Sequence, residues 1–226
     1  LDFRAGAASV VVEDFSASVL HAGERSIPLG ADADAVYRVV TGLVEDALQE
    51  APGGPLLGFG VGAPGVVDTA GGTVLEYPRI PGLSGFPLAR FLEERFGAPV
   101  RLANNATVAA LAAFRYGGSG GRQRCRHDGS VFALLVRSGV GGAFIQAGVP
   151  FMNAGRTAVE IGHLTMDPDG PVCACGAAGC LEAYLAEDSL ISAAGRAVAG
   201  AFAGQPAVDP LAAVPDIAAL DRRLRS

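Results

Sequence analysis

The chain has 226 residues, with 17 basic and 23 acidic side chains and a formal net charge of −6. Half of it is hydrophobic, which excludes a disordered chain, and the length suits one large core or two modest lobes. Every basic residue is Arg, which excludes chemistry built on a Schiff-base or phosphate-cradling lysine, and the acidic balance argues against a nucleic-acid-binding surface.

Leu1 to Val12 lacks the basic start, apolar run and small-residue site of a secretory leader, and no apolar stretch reaches membrane-spanning length. A soluble, cytoplasmic protein without a membrane partner is expected. Ala8 to Glu13 and Ser16 to Ala22, parted by Asp14-Phe15, predict an antiparallel hairpin. Asp32 or Asp34 caps a helix reaching about Glu50, with Val36, Val39, Val40, Leu43, Val44, Ala47 and Leu48 on one face and Pro52 to Pro55 ending it. Leu56 to Val61 reads as a buried strand feeding the loop Gly62 to Gly65, and Thr73 to Leu75 as another strand. Pro87 to Phe96 predicts a helix with Pro in its first turn and Gly97 at its end. A strand at Val100 to Leu102 and a helix at Ala106 to Tyr116 follow, giving an α/β lobe with a mixed sheet.

The Gly- and Arg-rich stretch around residues 118–130, with Arg122, Arg124, Cys125, Arg126 and His127, reads as a connection between a first lobe, 1–117, and a second, 131–226. The second lobe opens with strands at Val131 to Val136 and Gly142 to Gln146, joined by a turn at Ser138-Gly139-Val140-Gly141. Leu181 to Ala199 is helical in character, Gly200 to Asp216 loop-like, and Ile217 to Leu224 a short helix.

Cys173, Cys175 and Cys180 crowd into eight residues, ten residues beyond His163. Three thiolates and an imidazole satisfy a tetrahedral zinc ion with no open position, which makes such a site structural. The alternatives are unrelated buried thiols or a disulfide. Cys125 stands alone and reads as a buried or loop thiol. Glu160 and Glu182 flank the cluster. Tethered beside it they suit the paired hydroxyls of a sugar, or else they are two solvated acids on a rim.

Glu160-Ile161-Gly162-His163, together with Cys173-Ala174-Cys175-Gly176-Ala177-Ala178-Gly179-Cys180-Leu181-Glu182, resembles the zinc and sugar signature of the ROK family, named for repressors, open reading frames and sugar kinases. Gly62 to Asp68 resembles that family's Pro-Gly turn beside the sugar, Pro99 to Thr107 its catalytic-aspartate segment, and Ser138 to Gly142 its second phosphate loop. The resemblance implies two ribonuclease-H-like lobes, as in actin and hexokinase, with a sugar in the cleft between them. It implies zinc on His163, Cys173, Cys175 and Cys180. It implies contacts to a monosaccharide or sugar phosphate from Gly65, Asn104, Asn105, Glu160, His163 and Glu182, with phosphate-loop candidates Ser138, Gly139 and Gly141, and a homodimer.

Three departures from the family pattern stand out. Kinase members carry Asn-Asp where this chain has Asn104-Asn105, and an amide has no useful basicity, so the general base is lost and no catalytic residue is assigned. The opening phosphate turn falls on Asp2-Phe3-Arg4-Ala5-Gly6, where Arg4 replaces a glycine, and Arg137 precedes Ser138 where Gly-Thr is usual; ATP is therefore not an expected cofactor. Gly200 to Ser226 holds no Gly-rich adenosine loop, so the second lobe reads as truncated, and DNA contact through a winged helix-turn-helix is placed outside this chain. The expected function is a sugar-sensing effector domain of a ROK-type transcriptional regulator without kinase activity. The alternatives are an ATP-dependent sugar kinase using Glu160 or Asp68 as base, and a zinc-stabilised interaction module.

Overall fold

The β-branched start of the chain forms three strands, not two. In the computed structural model, which describes residues 1–51, 53–116, 128–153, 156–157 and 159–201, β1 (Asp2–Arg4), β2 (Ala7–Glu13) and β3 (Val19–Ser26) run as an antiparallel meander. The expected hairpin is present, but its second arm starts later because the Asp14 carboxylate accepts from the amides of Ser16 and Ser18 and holds that stretch as a turn. The stretch read as a phosphate turn is strand β1 and the bend that follows it.

Helix α1 (Ala33–Glu50) begins where Asp32 accepts from the Ala35 amide at 2.8 Å. It buries Val36, Val40, Leu43, Val44 and Ala47, the face its spacing predicts. Strand β4 (Phe59–Ala63) sits further along than expected, since its ladder starts where the Phe59 amide meets the Pro99 carbonyl. Leu57 is left exposed. Two short strands, β5 (Val66–Asp68) and β6 (Thr73–Glu76), pair as a hairpin; only β6 was legible. Helix α2 (Leu88–Phe96) takes Pro87 as its N-cap and stops at Gly97, which is left-handed at φ 70°. Strand β7 (Val100–Asn104) and helix α3 (Asn105–Tyr116) follow.

These strands form a five-stranded mixed sheet in the order β3-β2-β1-β4-β7, antiparallel on one side and parallel from β1 through β4 to β7. Phe3, Ile80, Leu83, Leu88 and Leu92 are fully buried in the core against α1 and α2.

Strands β8 (Ser130–Val136), β9 (Val140–Gln146) and β10 (Val149–Pro150) make a second sheet. Strand β9 starts at Val140, two residues earlier than expected, because the Arg137 amide closes a tight turn on the Gly139 carbonyl. Strands β11 (Met152–Asn153) and β12 (Arg156–Thr157) join β5 and β6 in a four-stranded sheet. The single helix expected from Leu181 is two, α4 (Leu181–Leu185) and α5 (Glu187–Ala201). They part at Ala186, whose backbone is extended, and the next amide, that of Glu187, bonds the Arg137 carbonyl instead of continuing the first helix.

The chain divides into a unit of Leu1–Ala133 with Ala143–Val159 and a unit of Leu134–Gly142 with Glu160–Ser226. The linear order read from the sequence, 1–117, 118–130 and 131–226, is interleaved here: residues 143–159 return to the first unit, where β12 pairs with β5. The connection from 117 to 127, with Cys125, His127, Arg122, Arg124 and Arg126, lies outside the described residues, as does everything from 202 on, including the loop and short helix expected there. Among the described residues no helix is long and apolar enough to cross a membrane.

Asp32→Ala removes the α1 cap and is expected to lower the unfolding free energy by about 1 kcal/mol, read from a denaturant midpoint with an unchanged slope.

Candidate functional site

The segment from Glu160 to Glu182 has little regular structure and is shaped by backbone bonds at close spacing. A 3-10 turn at Ile161–His163 is followed by isolated bridges pairing Thr165 with Cys180 and Val172 with Ala178. The Cys173 amide donates to the Ala177 carbonyl, and the Gly176 amide returns to Cys173. Gly179 is left-handed at φ 68°, and a Cβ there would stand 1.5 Å from the Asp167 carbonyl oxygen, so no other residue fits.

This folding brings one donor atom each from His163, Cys173, Cys175 and Cys180 within 4.8 Å of one another. Cys173 Sγ lies 3.8 Å from His163 Nδ1, and Cys175 Sγ lies 3.7 Å from Cys180 Sγ. Ligands at roughly 2.0–2.3 Å from a tetrahedral zinc stand about 3.5–3.8 Å apart, so the donor set fits such an ion. The three thiols are free, which removes the disulfide alternative among them. Their protonation is pulled both ways. The Ala177 amide and then the Cys173 thiol bring Cys175 down to about 7. Burial, then Cys175 and Cys173, push Cys180 up to about 12. A cation resolves that conflict by favouring thiolate at every position.

Glu160 caps the 3-10 turn, and the His163 amide donates back to its carbonyl. Its carboxyl is raised above the ordinary range, first by desolvation and further by Glu182, with His163 opposing. His163 and Glu182 therefore each lie within electrostatic reach of Glu160. With Nδ1 turned to the thiols, His163 presents Nε2 elsewhere. Glu182, in the first turn of α4, is half-buried, and its Oε2 accepts the Val140 amide at 2.9 Å.

Arg4, Gly65, Asp68, Asn104 and Asn105 lie in the first unit. Asn104 Nδ2 donates to the Gly65 carbonyl at 2.8 Å while its Oδ1 accepts the Ala106 amide, tying the β5 approach to the start of α3. Asn105 Nδ2 donates to the Phe3 carbonyl at 2.7 Å. Its Oδ1 is buried without a partner among the described residues and faces Gly62, where a Cβ would stand 2.9 Å from it and 3.2 Å from Asp2 Oδ1. Arg4 is spent on Glu24 at 2.5 Å, and Asp68 on the Gly71 amide at 3.0 Å. Of the phosphate-loop candidates, Ser138 and Gly139 lie in the turn and Gly141 in β9. Sequence reasoning missed the Phe3 carbonyl and the Val140 amide, which as backbone groups leave no side-chain signal.

The fold matches that of a ROK family glucokinase from Streptomyces griseus, solved in complex with glucose and AMPPNP, with a TM-score of 0.74 and 29% identity over 89% of this chain and 60% of that one. The architecture is thus the actin- and hexokinase-like α/β fold. The ROK family model matches residues 6–208, and the chain belongs to that family. It is 30% identical over 185 residues to a xylose repressor from Caldicellulosiruptor bescii, covering 81% of this chain and 45% of the repressor. It is 32% identical over 145 residues to a glucokinase from Thermotoga maritima, covering 64% of this chain and 44% of that enzyme. The chain thus spans about half the length of these relatives.

Asn105→Asp is expected to destabilise the fold by about 1–3 kcal/mol at neutral pH, because an ionised carboxylate cannot donate to the Phe3 carbonyl. Burial raises the introduced acid above its unfolded value of about 3.9. The deficit is therefore smallest below that pH and grows as pH rises through the folded-state value. Denaturant midpoints from pH 3 to 8, set against the parent, check this.

Proposed function

We propose that this chain is the sugar-binding effector part of a ROK-type transcriptional regulator that binds its sugar without phosphorylating it. The observation that supports this most is the amide of Asn105: it donates to the Phe3 carbonyl and has no basic atom to take a proton from a sugar hydroxyl. The similarity to a xylose repressor points the same way. In this reading the residues that contact the sugar are Gly65, Asn104, Asn105, Glu160, His163 through Nε2, and Glu182. The ligand is a monosaccharide or its phosphate. The protein acts in the cytoplasm as a homodimer, and its DNA-contacting part lies outside the described residues. Binding alters DNA affinity only if the sugar prefers one of two arrangements.

His163, Cys173, Cys175 and Cys180 would hold a structural zinc ion, which supplies charge to three thiolates and takes no part in bond making. Expected is about one zinc per chain by elemental analysis. Removal by a strong chelator should open the 160–182 segment to protease and lower the melting temperature. A folded, metal-free chain with the same protease resistance overturns the zinc assignment.

Calorimetry with D-xylose, D-glucose, amino sugars and their phosphates should give saturable binding, weakened about tenfold or more by Glu182→Ala. Sugar at about a hundred times its dissociation constant should stabilise the fold by about 2.7 kcal/mol, and ATP should not. Transfer of phosphate from ATP to a hexose at an enzymatic rate establishes the kinase alternative instead, and no sugar binding at all leaves an interaction module.

A further inference from the structure

The amide that follows the Arg137–Gly139 turn is already engaged. Val140 N–H donates to Glu182 Oε2 at 2.9 Å, and a Cβ on Gly139 would stand 2.8 Å from that same oxygen. One peptide further on, Gly162 packs against the Val140 carbonyl, where a Cβ would stand 2.0 Å from the oxygen. The Arg137 carbonyl accepts the Glu187 amide at 2.9 Å. All of these residues belong to the second unit. The turn is therefore held from three directions by the segment that runs from Gly162 to Glu187.

A carboxylate accepts on both oxygens. Here Oε2 is fixed by a backbone donor, and among the described residues no donor meets Oε1. A charge-assisted bond to an amide is short and directional, so it holds the side chain in one rotamer and removes an entropic cost that a ligand would otherwise meet. The same contact places a negative charge at the amide that an anion-accepting turn would offer, and a phosphate there would be repelled.

We propose that the 137–140 turn is a positioning element for Glu182. Gly139 leaves room for the carboxylate to seat on the Val140 amide, Oε1 is presented to a sugar hydroxyl, and the turn does not accept phosphate. The inference rests on the sugar-binding reading above. It assigns Gly139 and the Val140 amide a part in polyol recognition, acting through Glu182.

A double-mutant cycle on the whole chain tests it, with D-xylose and D-glucose as calorimetric probes. Gly139 does not have a left-handed backbone, and its added Cβ meets only the carboxylate at the far end of the Glu182 side chain, which can move aside, so Gly139→Ala is expected to fold. Gly139→Ala should weaken sugar binding at least tenfold, Glu182→Ala by a similar factor, and the double variant no more than Glu182→Ala alone. Additive losses overturn the inference while leaving the sugar-binding reading in place; a parent that binds neither these sugars nor the wider panel overturns both. A readout free of sugar accompanies the cycle. In protein labelled at valine nitrogen, exchange protection of the Val140 amide should fall at least tenfold in Glu182→Ala and hold in Glu182→Gln, whose amide oxygen still accepts. Unchanged protection in Glu182→Ala overturns the proposal, as does a saturable shift of the parent's Val140 resonance with inorganic phosphate.

Discussion

The convergence of three thiols and an imidazole within 4.8 Å is the constraint on which the second unit depends. The first unit has a conventional core, with large side chains such as Phe3, Ile80 and Leu92 fully buried. Among the described residues of the second unit the buried apolar side chains are Val140, Cys173, Cys180 and Ala186, none of them large. Apolar burial of that size cannot offset the ordering of a twenty-residue loop, at about 1–2 kcal/mol per residue. On the proposed reading, a metal ion cross-linking the donor cluster would supply order that this apolar burial does not. Two of the buried side chains are themselves candidate ligands, so packing and ligation act at the same atoms.

That constraint reaches beyond the cluster. His163 follows Gly162, which packs on the Val140 carbonyl, and Cys180 precedes α4, which carries Glu182 to the Val140 amide. Ordering the donors therefore fixes both the amide and the carbonyl of Val140, which lie in two successive peptide groups. Glu160 and Glu182 are carried by the same segment, and the Glu160 carboxyl is raised above its ordinary range first by desolvation and further by the charge of Glu182. Assembling like charges at a cost in stability is more often a feature of binding surfaces than of scaffolds.

Much of this was legible. Helix α1 followed from its cap and its apolar spacing, and α2 from its flanking Pro87 and Gly97, because those signals are local. The clustering of His163, Cys173, Cys175 and Cys180 was legible because thiols at that spacing have few uses other than a shared centre. What escaped was non-local. Strand β5 is three residues long and exists through pairing with β6 and β12. The break at Ala186 follows from a carbonyl fifty residues away in sequence order, which no helical pattern encodes. The return of residues 143–159 to the first unit was invisible for the same reason. Asn105 was legible as an amide without useful basicity but not as a donor to Phe3, since a carbonyl in a strand has no residue signature.

Asn105 and Glu182 have this in common: each is a side chain whose chemistry is limited by a backbone group. At Asn105 the partner is a carbonyl, which demands a donor and so favours an amide over the carboxylate that proton abstraction needs. At Glu182 the partner is an amide, which demands an acceptor and occupies the donor a phosphate would use. The two backbone groups have opposite polarity, yet on the proposed reading both would act against phosphoryl transfer, one by withholding a base and the other by filling an anion site with a fixed charge. Neither interferes with accepting a hydroxyl hydrogen bond on the carboxylate's second oxygen. On the proposed reading, recognition and turnover part at the level of main-chain hydrogen bonding, so restoring one catalytic side chain leaves the other obstruction in place.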